Sequence, residues 1–327
     1  MNNALDRLSG RTILVTGASG FLGSSIIRKL AATRCRIRRL DRRTAANVPA
    51  GGVAEIIDIA GDIRELDCWL EAVDGVDVVL HLAGQTSVYV ANEDPAADLT
   101  ANVTPVVHLA EACRTINRSS PTVVFAGTAT VVGLTDTVRV DESHPDHPIT
   151  HYDQHKWMAE QYLESFTREG IMAATTLRLA NVYGPGPQGS SSDRGFLNAM
   201  VRRALSGEAL TFYGTGAFVR DYVYVDDVAR AFLAAAASPG SAQGRHFLIG
   251  SGRGTTIADA LRLVADRVAR RTGRRVPVAS VETPAGLSPI EQRSFIAETR
   301  QFRQATGWSA EVSFEEGLDR TIEAARL

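Results

Sequence analysis

The chain of 327 residues carries 35 Lys and Arg against 37 Asp and Glu, which gives a formal net charge of -2, and 44% of its residues are hydrophobic. This apolar fraction is enough to fill a substantial core, and the chain lacks the strong basic excess that is typical of nucleic-acid-binding proteins. No basic N-terminal segment leads into an apolar stretch, and no run approaches the roughly 20 apolar residues that span a bilayer, so we expect a cytoplasmic protein that binds neither nucleic acid nor membrane.

From the N-terminus to residue 181, short β-branched runs alternate with amphipathic stretches. The strand candidates in chain order are RTILVTG (11–17), RIRRLD (36–41), VDVVLHLAG (76–84), PTVVFAG (121–127) and ATTLRLAN (174–181). Alternation of this kind predicts an α/β fold of the Rossmann type, a doubly wound parallel sheet with helices on both faces.

The first strand candidate leads into a glycine-rich segment, TGASGFLG (16–23). Gly17 allows a tight turn, Gly20 lets a pyrophosphate approach the backbone, and Gly23 lets the following helix lie close to the sheet. The GxxGxxG spacing differs from the GxGxxG fingerprint, and a glycine-rich turn also occurs as a plain chain reversal. Here the glycines follow a strand, open a helix and precede Asp41 at the end of the second strand, and this context predicts dinucleotide binding.

After Asn181 the sequence becomes rich in Gly, Pro and Ser, and the regular alternation ends. A strand and helix resume in RDYVYVDDVARAFLAAAA (220–237), and TIADALRLVADRVARR (256–271) predicts a further helix. We therefore expect a dinucleotide-binding domain of residues 1–181 plus about 222–250, and a smaller carboxy-terminal substrate-binding lobe of about 182–221 plus 251–327.

Tyr152 and Lys156 lie four residues apart in THYDQHKWMAEQYL, and on a helix they share one face. Such pairs also occur as ordinary surface residues. A nearby ammonium and an oxidised nicotinamide ring both lower the pKa of a phenol, whose ordinary value is about 10, so Tyr152 is a candidate proton carrier. Thr150 is the predicted N-cap of this helix.

Neither the cysteines nor the histidines predict a metal site. Cys35, Cys68 and Cys113 are few and without metal-type spacing, so we expect reduced thiols packed as small hydrophobic groups. The segment DESHPDHPITHYDQH (141–155) is rich in histidine and acid, but Pro148 interrupts the spacing and the segment leads directly into Tyr152. We expect a solvated loop there.

The chain resembles the extended short-chain dehydrogenase/reductase family, and within it the nucleotide-sugar epimerases, dehydratases and 4-ketoreductases. The resemblance covers nearly the whole chain and rests on the segments TGASGFLG, GDIREL, HLAGQTSV, FAGTATVVG, YDQHK, LRLANVYGPG and RDYVYVDDVARAF. It implies an oxidoreductase with NAD or NADP as cofactor and a nucleotide-linked sugar (a dTDP-, UDP-, CDP- or GDP-hexose) as substrate. We also expect a homodimer.

The resemblance further implies roles for single residues. The catalytic residues are Thr128, whose hydroxyl bonds the reacting sugar oxygen, with Tyr152 and Lys156, and Asn102 supports the lysine. The expected cofactor-binding residues are Gly17, Ser19, Gly20, Phe21, Leu22, Gly23, Asp41, Arg42, Asp62, Ile63, Leu82, Ala83, Gly84, Tyr152 and Lys156. The expected substrate-binding residues are Thr128, Asn181, Arg220 and Arg293. For Arg220, a salt bridge with Asp226 or Asp227 is the alternative.

One departure from the family pattern bears on the reaction. In the 4,6-dehydratases an Asp-Glu pair follows the catalytic Ser or Thr, whereas Ala129 and Thr130 follow Thr128 here. Without that acid and base, the reaction that the site is expected to catalyse is hydride transfer at a sugar carbon, with C4 as the expected position. The carboxy-terminal half resembles deoxysugar 4-ketoreductases, so the first choice is reduction of a nucleotide-linked 4-keto-6-deoxyhexose. The alternatives are a NAD-dependent 4-epimerase and, in another class, a cofactor-binding sensor or scaffold, which would not need the intact triad.

The residues after the second strand bear on cofactor choice. Asp41, placed against the adenosine ribose, would bond the 2'-hydroxyl and repel a 2'-phosphate, which favours NAD. Arg42 and Arg43 follow directly and would receive a 2'-phosphate if Asp41 turned away. The sequence leaves both cofactors open, with NAD favoured.

Overall fold

The structure, a computed structural model, describes residues 2–42, 51–116, 120–187 and 195–325. Its strands are β1 (Thr12–Thr16), β2 (Arg36–Asp41), β3 (Glu55–Ala60), β4 (Val78–His81), β5 (Thr122–Thr128), β6 (Arg139–Val140), β7 (Ala173–Leu179), β8 (Asn181–Tyr183), β9 (Leu210–Tyr213), β10 (Val219–Tyr224), β11 (Arg245–Ile249), β12 (Gly254–Thr256), β13 (Val278–Val281) and β14 (Ile296–Ala297). Its α-helices are α1 (Asn2–Arg7), α2 (Phe21–Leu30), α3 (Leu66–Ala72), α4 (Val88–Glu93), α5 (Pro95–Asn102), α6 (Thr104–Ile116), α7 (His151–Arg168), α8 (Phe196–Ser206), α9 (Val225–Ala236), α10 (Pro239–Ala242), α11 (Ile257–Thr272), α12 (Arg300–Thr306) and α13 (Phe314–Ala324). None of the helices in these ranges is long and apolar enough to cross a membrane.

Seven parallel strands form the main sheet in the order β3-β2-β1-β4-β5-β7-β11. The predicted Rossmann-type sheet is confirmed, and the five strand candidates became β1, β2, β4, β5 and β7. The strand order reverses direction between β1 and β4, and in open α/β sheets ligands bind at such a switch point, beyond the carboxyl ends of the strands.

The main core lies on both faces of this sheet, as alternation along β1 requires. Ile13 and Val15 point to the face that α2 and α9 cover, whereas Leu14 points to the face that α3, α6 and α7 cover. All five residues of β1 are buried, which accounts for its unbroken run of apolar and β-branched residues.

A second core groups residues from the later part of the chain. Short sheets, β12-β10-β8 and β13-β9, pack with α8, α11 and α13 around Tyr183, Val201, Tyr222, Leu261 and Leu318. The predicted helix over TIADALRLVADRVARR is α11, which begins after the N-cap Thr256 and ends before Gly273 in the left-handed region, φ +75°. The exact division of the chain into two domains stays a prediction.

The three cysteines are free thiols, with Cys35 buried and Cys68 and Cys113 half-buried. Burial raises the pKa of each thiol to about 11, so all three stay protonated and weakly reactive at neutral pH.

Candidate active site

In the glycine turn between β1 and α2, close contacts with neighbouring backbone require glycine at two positions. Gly17 has φ +67°, and a Cβ at this position would lie 3.0 Å from the backbone N of Ala83. A Cβ on Gly23 would lie 2.2 Å from the carbonyl oxygen of Gly17, so only glycine allows the helix to approach the turn this closely. Gly20 is the N-cap of α2 and supplies no side-chain cap, which leaves the first-turn amides open to an external acceptor.

The carboxylate of Asp41 lies at this turn, at the end of β2. Its Oδ2 accepts a hydrogen bond from the backbone N of Ser19, 2.8 Å away. Burial raises the pKa of Asp41 above its ordinary value, and the hydrogen bond from Ser19 opposes that shift. Arg42 is exposed, and Arg43 lies outside the described residues. The acidic residue therefore contacts the glycine turn, and its predicted contact with an adenosine ribose stays a prediction.

Five further predicted cofactor residues follow β3 and β4, so they share the carboxyl edge of the sheet with Gly17 and Asp41. Asp62 pairs with Arg64 at 2.6 Å, and the hydrogen bond from Arg64 lowers the pKa of Asp62. The carbonyl of Ile63 accepts from the indole N of Trp69, 2.7 Å away. Leu82, Ala83 and Gly84 continue from β4 at the switch point.

Thr16 and His81 join the ends of β1 and β4, a link that the sequence analysis missed. The Thr16 hydroxyl oxygen accepts from the backbone N atoms of Leu82 and Ala83, each 3.1 Å away. With both lone pairs used, the hydroxyl donates to Nδ1 of His81, 2.8 Å away. Burial and nearby Lys156 lower the pKa of His81 to about 3, so its ring is neutral.

Thr128, Tyr152 and Lys156 come together at the end of β5. Thr128 is the last residue of β5, and the side chain of Lys156 extends from α7 to place Nζ 4.0 Å from the ring centre of Phe125 in the same strand. Burial raises the pKa of Tyr152 above its ordinary value, Asp153 and Asp98 raise it further, and a hydrogen bond with Thr128 lowers it.

Lys156 is only 6% exposed, and burial lowers its pKa to about 7, against the opposing influence of the carboxylates of Asp98 and Glu160. Its charge therefore depends on those two acids. The sequence thus predicted residues that the fold brings together, and their roles in catalysis and binding stay predictions.

Asp98 is a further residue that the sequence analysis missed. It is 1% exposed in α5, and its carboxylate accepts from Gln85 at 2.6 Å and Asn102 at 3.0 Å on Oδ1, and contacts Nδ1 of His155 at 2.6 Å on Oδ2. This carboxylate joins the loop after β4, helix α5 and the residue that precedes Lys156. A signal was present in the sequence, because Asp98 and Asn102 lie one helical turn apart.

Asp153 is another residue that the sequence analysis missed. Thr150 is the N-cap of α7, as predicted, and its hydroxyl oxygen accepts from the backbone N of Asp153 at 3.1 Å. The Thr150 hydroxyl donates to Oδ2 of Asp153 at 2.7 Å, and Oδ1 accepts from the hydroxyl of Thr130. Thr130 occupies one of the two positions where dehydratases are expected to carry an acid, and its hydroxyl is hydrogen-bonded to the carboxylate of Asp153 from α7.

Arg293 and Asn181 face each other at the predicted substrate side of the site. Nη2 of Arg293 lies 3.5 Å from Oδ1 of Asn181. Burial and the neighbouring charge of Arg220 lower the pKa of Arg293 to about 10, so it stays charged. The carboxylate of Asp153 acts on the same guanidinium, which places Arg293 near α7.

Arg220 supports the turn that carries Arg293. Its Nη2 donates to the carbonyl of Glu291 at 2.7 Å and lies 3.5 Å from the carboxylate of the same residue, while Nη1 donates to the carbonyl of Arg293. The alternative salt bridge to Asp226 or Asp227 was wrong. Asp226 instead accepts from Ser25 at 2.6 Å, and Asp227 pairs with Arg230.

The histidines before and within α7 do not converge. His144 contacts the hydroxyl of Thr135 at 2.9 Å, His155 contacts Asp98, and the exposed ring of His151 stacks against that of His155. Within the ranges that the structure describes, there is no group of three or more His, Cys, Asp or Glu residues with the geometry of a metal site.

Comparison with known proteins places this geometry among nucleotide-sugar enzymes. The chain is 31% identical to UDP-glucose 4-epimerase of Mycolicibacterium smegmatis over 318 residues, 96% of this chain and 98% of the relative. It is 25% identical to dTDP-glucose 4,6-dehydratase of Neisseria gonorrhoeae over 346 residues, 96% of this chain and 95% of the relative.

Two solved structures of this group are similar over nearly their whole length. UDP-glucose 4-epimerase of Thermotoga maritima with UDP-glucose has a TM-score of 0.85 at 31% identity, covering 96% of this chain and 98% of that one. UDP-glucose 4-epimerase of Thermus thermophilus in complex with NAD has a TM-score of 0.80 at 30% identity, covering 96% and 99%. The NAD dependent epimerase/dehydratase family matches residues 13–250, and the chain belongs to that family.

Proposed function

We propose that the protein is a NAD-dependent nucleotide-sugar 4-epimerase whose substrate is a UDP-hexose. The observation that carries the proposal is that Thr128, Tyr152 and Lys156 lie together at the end of β5, while positions 129 and 130 carry no acid. This arrangement suits hydride transfer at one carbon and lacks the acid and base that an elimination needs. The full-length similarity to UDP-glucose 4-epimerases supports this choice. Reduction of a 4-keto-6-deoxyhexose, the first expectation from the sequence, has less support, because the comparisons favour the alternative.

The residues at the carboxyl edge of the sheet fit a dinucleotide. The uncapped start of α2 offers backbone N–H groups to a diphosphate, and Gly17 and Gly23 keep side chains out of the turn. The carboxylate of Asp41, held by the amide of Ser19, would bond the adenosine ribose, and its charge disfavours a 2'-phosphate. Bound NAD supplies a site that takes a hydride from the sugar and returns it.

The chain's own residues handle the proton and orient the sugar. Tyr152, as phenolate, takes the proton of the sugar 4-hydroxyl as the hydride leaves C4, which gives a 4-keto sugar. The same proton returns to the oxygen when the hydride comes back to the opposite face of C4, so protons and electrons balance over one turnover. The ammonium of Lys156 favours the phenolate, and Thr128 hydrogen-bonds the reacting oxygen.

Binding of the nucleotide diphosphate falls to Arg293 and Asn181 in this proposal. Arg293 is half-buried near α7 and keeps a charge suited to a diphosphate. Because both Nη atoms of Arg220 bond carbonyls of the turn that carries Arg293, Arg220 acts on the substrate through that turn.

The test is incubation of the protein with UDP-, dTDP-, CDP- and GDP-linked hexoses, followed by NMR identification of the products. We expect inversion at C4 of a UDP-hexose and at most slow conversion of the others. Reduction of a 4-keto sugar with consumption of NADH, and no inversion, would replace the epimerase with the ketoreductase.

A further inference from the structure

Asp98 is a buried carboxylate whose hydrogen-bond donors do not include a lysine or an arginine. It is 1% exposed, and its Oδ1 accepts from the side-chain amides of Gln85 at 2.6 Å and Asn102 at 3.0 Å. Its Oδ2 contacts Nδ1 of His155 at 2.6 Å, and a neutral imidazole leaves the charge of a carboxylate in place. Within the ranges that the structure describes, Asp98 forms no ion pair with Lys or Arg.

Lys156 is the complementary case, a buried ammonium with no carboxylate in contact. It is 6% exposed, and its Nζ lies 4.0 Å from the ring centre of Phe125; no Asp or Glu in the described part of the chain forms an ion pair with it. A buried charge is costly without a counter-charge. Helix α5 packs against α7, and His155, which contacts Asp98, directly precedes Lys156. The two buried charges therefore offset each other without direct contact.

Glu160, the other carboxylate that acts on Lys156, already has a cation in contact. It accepts from Nε of Arg178 at 3.0 Å and from Nη2 of Arg178 at 2.7 Å, a two-point pair that is buried. Arg178 also pairs with Asp146 at 2.6 Å. The positive charge of Arg178 opposes the effect of Glu160 on Lys156, whereas no such cation opposes Asp98. Of the two carboxylates, Asp98 raises the pKa of Lys156 more.

We propose that Asp98 is a positioning residue that keeps Lys156 charged from beyond hydrogen-bond distance, so that no carboxylate occupies the N–H groups of the ammonium beside Tyr152. The part that concerns catalysis rests on the proposed function, in which this ammonium favours the phenolate. Asp98 also raises the pKa of Tyr152, so removal of its charge lowers the pKa values of both members of the pair. The other titratable groups that act with Lys156 are Glu160 and neutral His81, and substitution of Asp98 keeps both.

Asp98→Asn removes the charge and keeps the shape of the side chain. Its amide oxygen accepts from Gln85 and Asn102, and its N–H donates to Nδ1 of His155 in the other neutral tautomer. Asp98→Ser removes the same charge with a smaller side chain. Asp94→Asn is the matched control, because Asp94 is the exposed N-cap acid of the same helix and asparagine caps a helix as well as aspartate.

The first experiment measures the charge of Lys156 directly. The chain has two lysines, Lys29 and Lys156, so NMR of protein labelled with ¹³C at the lysine Cε resolves each amine during a pH titration, and Lys29→Arg assigns the signals. Lys29 pairs with Asp226 at 3.6 Å and is the internal reference. We expect the titration midpoint of Lys156 to fall by about one pH unit in Asp98→Asn and in Asp98→Ser. It should not change in Asp94→Asn, where water screens the lost charge.

Two results of this titration would overturn the proposal. One is a midpoint of Lys156 in both Asp98 variants equal to that of the parent. The other is an equal fall in Asp94→Asn, which would show an effect of net charge and not of the buried carboxylate. The titration needs no turnover, so it decides the role of Asp98 even if the protein converts no nucleotide sugar and the proposed function fails.

The second experiment measures kcat/KM against pH with UDP-glucose for the parent, Asp98→Asn and Asp94→Asn. Because loss of the carboxylate lowers the pKa values of both Tyr152 and Lys156, the acid and alkaline limbs should move together to lower pH by about one unit. The maximum of the profile should stay within about threefold of the parent. A residue that only packs α5 against α7 would lower the maximum and leave both limbs in place, and this result would contradict the proposal.

Discussion

The hydroxyl of Thr16 donates a hydrogen bond of 2.8 Å to Nδ1 of His81. This bond joins β1 and β4, between which the order of the sheet strands reverses. The ring of His81 stacks on Phe125 at 5.5 Å and lies against the edge of Trp69 at 5.4 Å, so the imidazole packs as a neutral aromatic group. The strand ends that hold the glycine turn and the loop after β4 are therefore joined by a histidine that does not accept a proton at neutral pH.

This pairing predicts a pH-dependent loss of stability. The pKa of His81 is about 3 in the folded protein against about 6.5 when unfolded, so the unfolded chain binds more protons as the pH falls below about 6.5. The contribution of neutral His81 to the free energy of unfolding is fully present above about pH 6.5. As the pH falls from there towards the folded pKa, this contribution decreases by up to about 1.4 kcal/mol for each pH unit.

Urea unfolding at about pH 7.5 and about pH 5.5 tests this prediction. The free energy of unfolding of His81→Asn should lie below that of the parent at the higher pH, and the gap should narrow by about 1 kcal/mol at the lower pH. A gap of equal size at both pH values would show that His81 is not held neutral.

Tyr152→Phe should lower the turnover rate about 100-fold to 10,000-fold, because it removes the proton carrier. NAD binding should stay nearly unchanged, because the substitution leaves the glycine turn intact. Steady-state rates and NAD titration measure the two effects. Tyr162→Phe, on the same helix and 42% exposed in the parent, is the control and should behave as the parent does. Wild-type turnover in Tyr152→Phe would reject the mechanism.

Asp41→Ala should weaken the preference for NAD over NADP, since the variant loses the carboxylate that the Ser19 amide holds at the turn. Titration of both cofactors against the parent, the variant and Glu55→Gln gives the comparison, and Glu55 is an exposed acid on the neighbouring strand. A parent protein that prefers NADP would assign cofactor choice to Arg42 and Arg43 instead.

The outer face of α7 bears on the predicted homodimer. Met158 and Tyr162 are one helical turn apart and are 36% and 42% exposed, a pairing of large apolar side chains that a second copy would cover. We expect a dimer by light scattering and a shift to monomer in Tyr162→Glu. A monomeric parent at high micromolar concentration would contradict this prediction.

The sequence predicted the central strands of the sheet better than its edges, and it singled out residues that the fold brings together, whose roles stay predictions. β3 and β11 were not among the strand candidates, and both lie at the edges of the sheet. Asp58 interrupts the apolar pattern of EIIDIA, and the apolar run in RHFLI is only three residues long. Gly17, Asp41, Tyr152 and Lys156 were recognisable because a local spacing or a strand context identifies them.

The partners of Asp98, Asp153 and Arg220 could not be predicted in the same way. Each of these side chains reaches groups 20 or more residues away in sequence, such as His155, Thr130 and Glu291, and only the packing of α5, α7 and the carboxy-terminal turn brings those groups together. The spacing of charges along the chain even suggested the wrong partner for Arg220, because Asp226 and Asp227 are close in sequence but point to other residues.

The most direct test of the central claim is to incubate the protein with NAD and UDP-glucose that carries deuterium at C4, and to follow the sugar by NMR and the cofactor by absorbance. If hydride is taken and returned within one turnover, the C4 epimer of UDP-glucose forms with deuterium retained at C4 and no net change in NADH. Absence of the epimer, together with stoichiometric use of NADH when a UDP-linked or dTDP-linked 4-keto-6-deoxyhexose is supplied, would contradict the epimerase.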